Sequence, residues 1–316
     1  MKHIMRRTFV GRVFAGLGIT GITARPVRAK AGSIPVKPFG NTGVKLSVLG
    51  QGGAKLAYLR TKSAAEEHVR FALGLGINYF DCARSYWNGH SEEVYGGVLP
   101  AVRKDIFLTT KSAQRTRAGA EAELNASLRA MKTDHVDLWQ IHNVKTSDEV
   151  RAIFAPGGAF EAFEEAKKKG KARFIGFSAH YDPATALEML RAGVKYDTIL
   201  IPLHAADPSY LSFEATVLPL ALKQGLAIQA MKVFGSAALL RSLHISECLR
   251  YSLTLPAHAA VVGCSSTGHW EDNARAMDRF RPMTPQEMAT VREQATTGVA
   301  AISGATLEYW KRQPIR

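Results

Sequence analysis

Residues 78–99 read "NYFDCARSYWNGHSEEVYGGVL", and this stretch decides the fold. An aromatic, apolar run from Asn78 to Ala83 has strand character, a polar loop follows, and beyond Gly89 the apolar residues Val94, Tyr95 and Val98 fall at helical spacing. Strand, loop and helix follow one another within one short segment. From residue 36 onward the same switch recurs eight times. The spacing predicts strands at 45–51, 78–83, 106–111, 135–142, 173–179, 198–204, 226–232 and 259–264. It predicts helices near 63–75, 91–102, 118–131, 158–169, 183–192, 213–224, 244–255 and 268–280.

These strand runs are apolar nearly throughout, as expected of a parallel sheet with helices on both faces. Eight such units close into an α/β (β/α)8 TIM barrel over residues 36–316, with a turn at 37–45 and a last helix after Thr284 as additions. The alternative, a doubly wound open sheet, is disfavoured because no G-x-G-x-x-G follows the first strand.

The first 31 residues are of a different kind: a basic start with Arg6 and Arg7, an apolar Gly-rich middle and a small-residue "AKA" end. They read as a cleavable signal peptide of the twin-arginine type, with an apolar run too short to span a bilayer stably. The expected partner is therefore the twin-arginine export machinery, the expected location periplasmic or otherwise exported, and no stable membrane insertion follows cleavage. This segment carries seven basic and no acidic residues, so its removal lowers the formal charge from +14 to +7. What remains has no long Lys/Arg run, which gives no support to nucleic-acid binding but suits a phosphorylated ligand. Cys82, Cys248 and Cys264 show no paired spacing and no C-x-x-C, against a disulfide framework, structural zinc or iron–sulfur cluster.

In this kind of barrel, chemistry gathers at the C-terminal ends of the strands. Asp81 lies near the end of the second strand, Tyr86 in its loop, Lys111 at the end of the third and His142 at the end of the fourth. Singly, each has a bland reading as a cap, a packing aromatic, a solvated amine or a core histidine. Neighbouring strands lie about 4.8 Å apart, so these three strand ends face one small pocket. A lysine beside a phenol favours the phenolate and lowers the phenol's pKa, and an aspartate would keep that lysine charged. The set makes a positioned acid, with His142 able to donate or accept a hydrogen bond at the oxygen being protonated.

At these residues the sequence resembles the aldo-keto reductases over about residues 36–281. The resemblance rests on "GINYFDCARSYWNGHSEEVYGGVL", "LTTK", "SLRAMKTDHVDLWQIH", "KARFIGFS" and "GCSSTGHWEDN", in the family's order. It implies catalytic roles for Asp81, Tyr86, Lys111 and His142. The implied reaction is NAD(P)H-dependent reduction of a small-molecule aldehyde or ketone, with Tyr86 protonating the developing alkoxide. It places cofactor contacts at Ser178, Lys232, Ser265, Ser266, His269 and Asn273, and family habit favours NADP, with NAD possible.

The chain departs from the family where the nicotinamide amide is usually held, since Ala179 and Leu200 replace two of three polar contacts. Met231 and Lys232 stand near the place of a stacking aromatic, and Gly263 and His269 replace basic residues that often grip a 2′-phosphate. His180 and His204 end the fifth and sixth strands and are expected to line the substrate pocket or replace the lost amide contacts. A three-histidine metal site with His142 can be drawn, but the Lys–Asp–Tyr set needs no metal. Trp87 is a candidate pocket wall and Trp139 a packing residue. Two other readings compete: a nicotinamide-binding sensor or accessory barrel with little turnover, and a metal-dependent hydrolase.

Overall fold

A computed structural model describes residues 34–278, 280–300, 308, 310 and 311. The expected signal segment lies outside them. The described residues form ten strands: β1 Val36–Pro38, β2 Lys45–Ser47, β3 Leu49–Gly52, β4 Tyr79–Asp81, β5 Phe107–Ser112, β6 Val136–Ile141, β7 Ala172–Ser178, β8 Thr198–Pro202, β9 Ala227–Met231 and β10 Ala259–Val262. The last eight are parallel and closed, β3 to β10 in sequence order with β10 returning to β3. This is the eight-stranded barrel expected from the alternation.

The α-helices are α1 Lys62–Gly74, α2 His90–Val98, α3 Arg117–Met131, α4 Ser147–Phe154, α5 Ala159–Lys168, α6 Pro183–Arg191, α7 Phe213–Lys223, α8 Ile245–Thr254, α9 Thr267–Asp278 and α10 Pro285–Ala300. The outer ring fits its strands by burying one stripe of each helix. Trp139 of β6, for example, stacks on Phe163 of α5 with ring centroids 3.6 Å apart. That is the packing role expected of it.

The expected strand at 45–51 is two elements. Residues 45–47 pair antiparallel with β1, and only after Val48 does the chain enter the barrel. The resulting hairpin closes one end of it. Phe39, fully buried, packs on Tyr79 and on Phe107, the first residues of β4 and β5, in a cluster that also holds Ala227 and Ala259 at the starts of β9 and β10. All four mark the N-terminal ends of the strands, so the open face is the C-terminal one. One helix that the alternation did not predict, α4, carries its own start signal: Thr146 accepts a hydrogen bond from the Glu149 amide, the T-x-x-E pattern of a helix N-terminus.

Close strand packing has a local requirement at Gly176. A Cβ there would sit 2.5 Å from the Thr198 carbonyl oxygen on β8 and closer still to its hydroxyl. Gly176→Ala is expected to lower stability by about 1–3 kcal/mol through overpacking. Thermal unfolding measures it, and an unchanged midpoint would show that β7 and β8 have room to separate.

Candidate active site

At the C-terminal face, strands β4, β5 and β6 bring the four expected residues together. The Lys111 ammonium, 1% exposed, lies 2.8 and 2.7 Å from the two Asp81 carboxylate oxygens and donates to the Cys82 carbonyl at 2.6 Å. Thr109, two residues before Lys111, donates its hydroxyl to Asp81 at 3.0 Å and fixes the carboxylate from a second side. The Lys111 ammonium is 5.0 Å from the Tyr86 ring centroid, and the His142 ring meets Tyr86 edge-on at 5.5 Å. The Ser85 hydroxyl lies 3.3 Å from Nδ1 of His142.

Burial and charge set the protonation states. Burial alone pulls the Lys111 ammonium towards neutrality, but Asp81 and Tyr86 outweigh it and leave its pKa raised. Lys111 is therefore a fixed cation. For Tyr86 the balance runs the other way: desolvation is the largest influence and raises the phenol's pKa, while Lys111 opposes it by charge and hydrogen bonding. The expectation of a net acidified phenol is corrected, because burial outweighs the neighbouring cation. The result is a tyrosine that keeps its proton at neutral pH with an ammonium beside it to stabilise the phenolate left after transfer. His142 is pushed well below the ordinary imidazole range by burial and then by Lys111, His180, Arg115 and Lys145, so it is neutral at neutral pH.

A cavity of about 330 Å³ opens above Asp81 and Tyr86 and runs between the loops after β3, β9 and β10. Of the expected cofactor contacts, Lys232, Ser265, His269 and Asn273 line it, and so does Leu200. Ser178 and Ser266 do not: the Ser178 hydroxyl accepts from the Asn143 amide at 3.0 Å, and the Ser266 hydroxyl accepts from the His269 amide at 3.3 Å. Trp87 also lies off the cavity, its ring edge-on to His90 and its backbone in the left-handed region at φ 49°. The three histidines do not converge on a common metal position among the described residues. His204 instead sits 3.1 Å from Glu308, in a buried group with Asp207 whose centre is taken by the Lys311 ammonium, 2.8 Å from Asp207 and 2.6 Å from Glu308.

Removing that ammonium would leave two buried carboxylates facing each other. Lys311→Met is therefore expected to cost about 3–5 kcal/mol of local stability. Hydrogen exchange at Ser209–Glu214, which is tied to Asp207 through Ser212 and the Glu214 amide, should accelerate. Unchanged exchange there would show that the cluster carries no such load.

Three supporting residues escaped the sequence reading. Glu92, fully buried on α2, pairs with Arg84 at 2.6 Å and accepts from the Thr110 hydroxyl at 2.6 Å, which ties the Tyr86 loop to β5. Its signal was its place three residues before the buried Tyr95, on the apolar face of the helix. Lys55 and Tyr58, on the loop after β3, line the cavity, and a Cβ at Gly263 would meet the Lys55 side chain at 2.5 Å. Gly263 thus gives Lys55 room to lie across the cavity rim.

The match of the sequence to the model of the "Aldo/keto reductase family" runs from residue 48 to residue 247, through β3 to β9 and the four clustered residues, and ends before β10. The chain belongs to the aldo/keto reductase family. "Uncharacterized oxidoreductase YqkF" of Bacillus subtilis is 32% identical over 155 residues, covering 45% of this chain and 48% of that protein. "Methylglyoxal reductase YeaE" of Escherichia coli is 28% identical over 207 residues, covering 63% and 68%. "L-galactose dehydrogenase" of Arabidopsis thaliana is 31% identical over 163 residues, covering 46% and 48%. The chain thus spans about half the length of the first of these curated relatives. Among solved structures, an aldo-keto reductase, AKR11C1, from Bacillus halodurans superposes with a TM-score of 0.69 at 24% identity, covering 83% of this chain and 96% of that one. That likeness concerns the barrel itself.

Proposed function

We propose that this aldo/keto reductase family member reduces an aldehyde or ketone to an alcohol with NADPH, NADH being the second choice of cofactor. The observation that carries the reading is the buried Lys111–Asp81 pair beside the Tyr86 ring at the floor of a cavity on the catalytic face of the barrel. A nicotinamide dinucleotide fits that cavity chemically. Lys55 and Lys232 bring two ammonium groups to its lining, and Asp81, the only carboxylate there among the described residues, is already matched by Lys111. Tyr58 and Leu240, two of the exposed large apolar side chains, offer flat contact surface at its rim.

The bound cofactor would supply a hydride to the carbonyl carbon. Tyr86 gives its proton to the carbonyl oxygen, so that the alkoxide leaves as an alcohol and the phenolate is left beside a fixed cation. Lys111 holds that negative charge, Asp81 and Thr109 keep Lys111 aimed, and neutral His142 orients the carbonyl oxygen by a hydrogen bond. Lys232, Ser265, His269 and Asn273 are proposed to hold the cofactor, with Ser178 and Ser266 acting through the backbone they support. Export through the twin-arginine route by residues 1–31 belongs to the same proposal, and a mature chain beginning near residue 32 in the periplasmic fraction tests it.

The test of activity is purified protein with NADPH or NADH and a panel of carbonyl compounds, followed by the absorbance of reduced nicotinamide. The relatives' names put methylglyoxal first on that panel, and L-galactose with oxidised cofactor first for the reverse direction. Cofactor consumption with alcohol product supports the reading. Tight cofactor binding without consumption would favour the sensor reading, to which the apolar Leu200 in the cavity wall lends its support.

A further inference from the structure

We infer that Arg115 is a positioning residue for His142, holding the peptide that aims its ring; the inference rests on the proposed role of His142 at the carbonyl oxygen. Arg115 lies on the loop after β5, outside the four clustered residues and off the cavity. One of its terminal nitrogens donates to the His142 carbonyl at 2.9 Å and reaches the Asn143 carbonyl at 3.4 Å. The same nitrogen is 3.5 Å from a Glu149 carboxylate oxygen on α4.

The backbone held in this way is an unusual one. Asn143 sits in the left-handed region at φ 51°, and its amide donates to the Ser178 hydroxyl at 3.0 Å. The His142 amide donates to the Ser112 carbonyl at 2.8 Å. Amides of residues 142 and 143 are thus tied to β5 and β7, and both carbonyls to Arg115. The peptide that carries the imidazole has little freedom left, and the side chain of one residue supplies half of that restraint.

The arrangement is costly in a way that packing alone does not call for. The remaining Arg115 nitrogens, Nε and Nη1, are buried without a hydrogen-bond partner among the described residues, as is the Asn143 side-chain oxygen. Buried donors left unmatched lower stability, so an uncharged residue of similar shape would serve a purely structural role better. What a guanidinium adds at this place is one donor nitrogen that meets two successive carbonyls, and a positive charge. That charge acts on an imidazole already faced by Lys111 from β5, His180 from the end of β7, Lys145 from its own loop, and Tyr86 and Ser85 from the loop after β4. Asp81 is taken up by Lys111, and Glu149 faces Arg115. Arg115 therefore adds to a set of cations that disfavours a proton on His142.

The test uses the full chain with NADPH and a carbonyl compound that it reduces, comparing Arg115→Met and Arg115→Lys with the unchanged protein. In Arg115→Met the His142 ring titration, followed by NMR, should move to higher pH, because one of the cations opposing its protonation is gone. The kcat should fall about 10- to 100-fold as the imidazole loses its aim, while cofactor affinity measured by fluorescence stays the same. Arg115→Lys should keep the original titration and recover most of kcat, since one nitrogen meets both carbonyls and an ammonium can take its place. An unmoved titration with a loss of thermal stability alone would reduce Arg115 to a structural residue and overturn the inference. If Arg115→Met does not fold, Arg115→Gln, which keeps a donor and removes the charge, decides in its place: an unmoved His142 titration with undiminished kcat there would overturn the inference. The ring titration and cofactor binding need no turnover, so a failure of the reductase reading shows separately, as absent consumption by the unchanged protein.

Discussion

Tyr86→Phe is expected to lower carbonyl reduction by roughly 10²–10⁴-fold, the usual worth of a positioned proton donor, with cofactor affinity almost unchanged. The substitution removes one oxygen and keeps the ring that packs beside Lys111 and meets His142 edge-on. Stability should therefore change little, and any loss of rate belongs to the proton. Single-turnover measurement with bound NADPH separates chemistry from binding. A Phe variant that turned over at the original rate would remove Tyr86 from the reaction.

The second large effect is at Lys111. Lys111→Met would leave the Asp81 carboxylate, 2% exposed, with Thr109 as its remaining side-chain partner among the described residues. Breaking a buried pair in this way costs about 3–5 kcal/mol, so the variant should unfold at markedly lower temperature. The phenol would also lose the cation that stabilises its phenolate, and reduction should fall at least as far as in Tyr86→Phe. Asp81→Asn in the Lys111→Met background is expected to restore part of the stability, since no charge is then stranded, and to restore none of the rate. Denaturant unfolding and the same turnover assay check both halves. Recovery of the rate in the double variant would contradict the role given to the ammonium.

The barrel was legible because its signal is repeated. Eight apolar runs and eight helical stripes support one another, and an error in one leaves the rest standing. The first strand was the exception: Lys45–Ser47 has strand composition whether it enters the barrel or pairs with β1, and composition does not name the partner. The clustered residues were legible for a similar reason, since Asp81, Lys111 and His142 sit at ends of neighbouring strands and topology does the rest. What escaped depends on side-chain direction. Ser178 points to the Asn143 amide and not into the cavity, and Lys55 reaches the cavity by lying across Gly263. The phenol's protonation was misjudged because sequence shows the cation and not the burial that outweighs it. The Lys311 cluster joins residues about a hundred positions apart, and nothing in the local sequence at either end announces it.

The claim that the hydroxyl of Tyr86 supplies the proton is tested most directly by the pH dependence of carbonyl reduction at saturating NADPH, measured for the unchanged protein and for Tyr86→Phe. The geometry predicts that the rate of the unchanged protein falls as pH rises through the ionisation of a single donor, and that the residual rate of the Phe variant is flat over the same range. The same basic limb in both proteins would place the proton donor elsewhere and contradict the account.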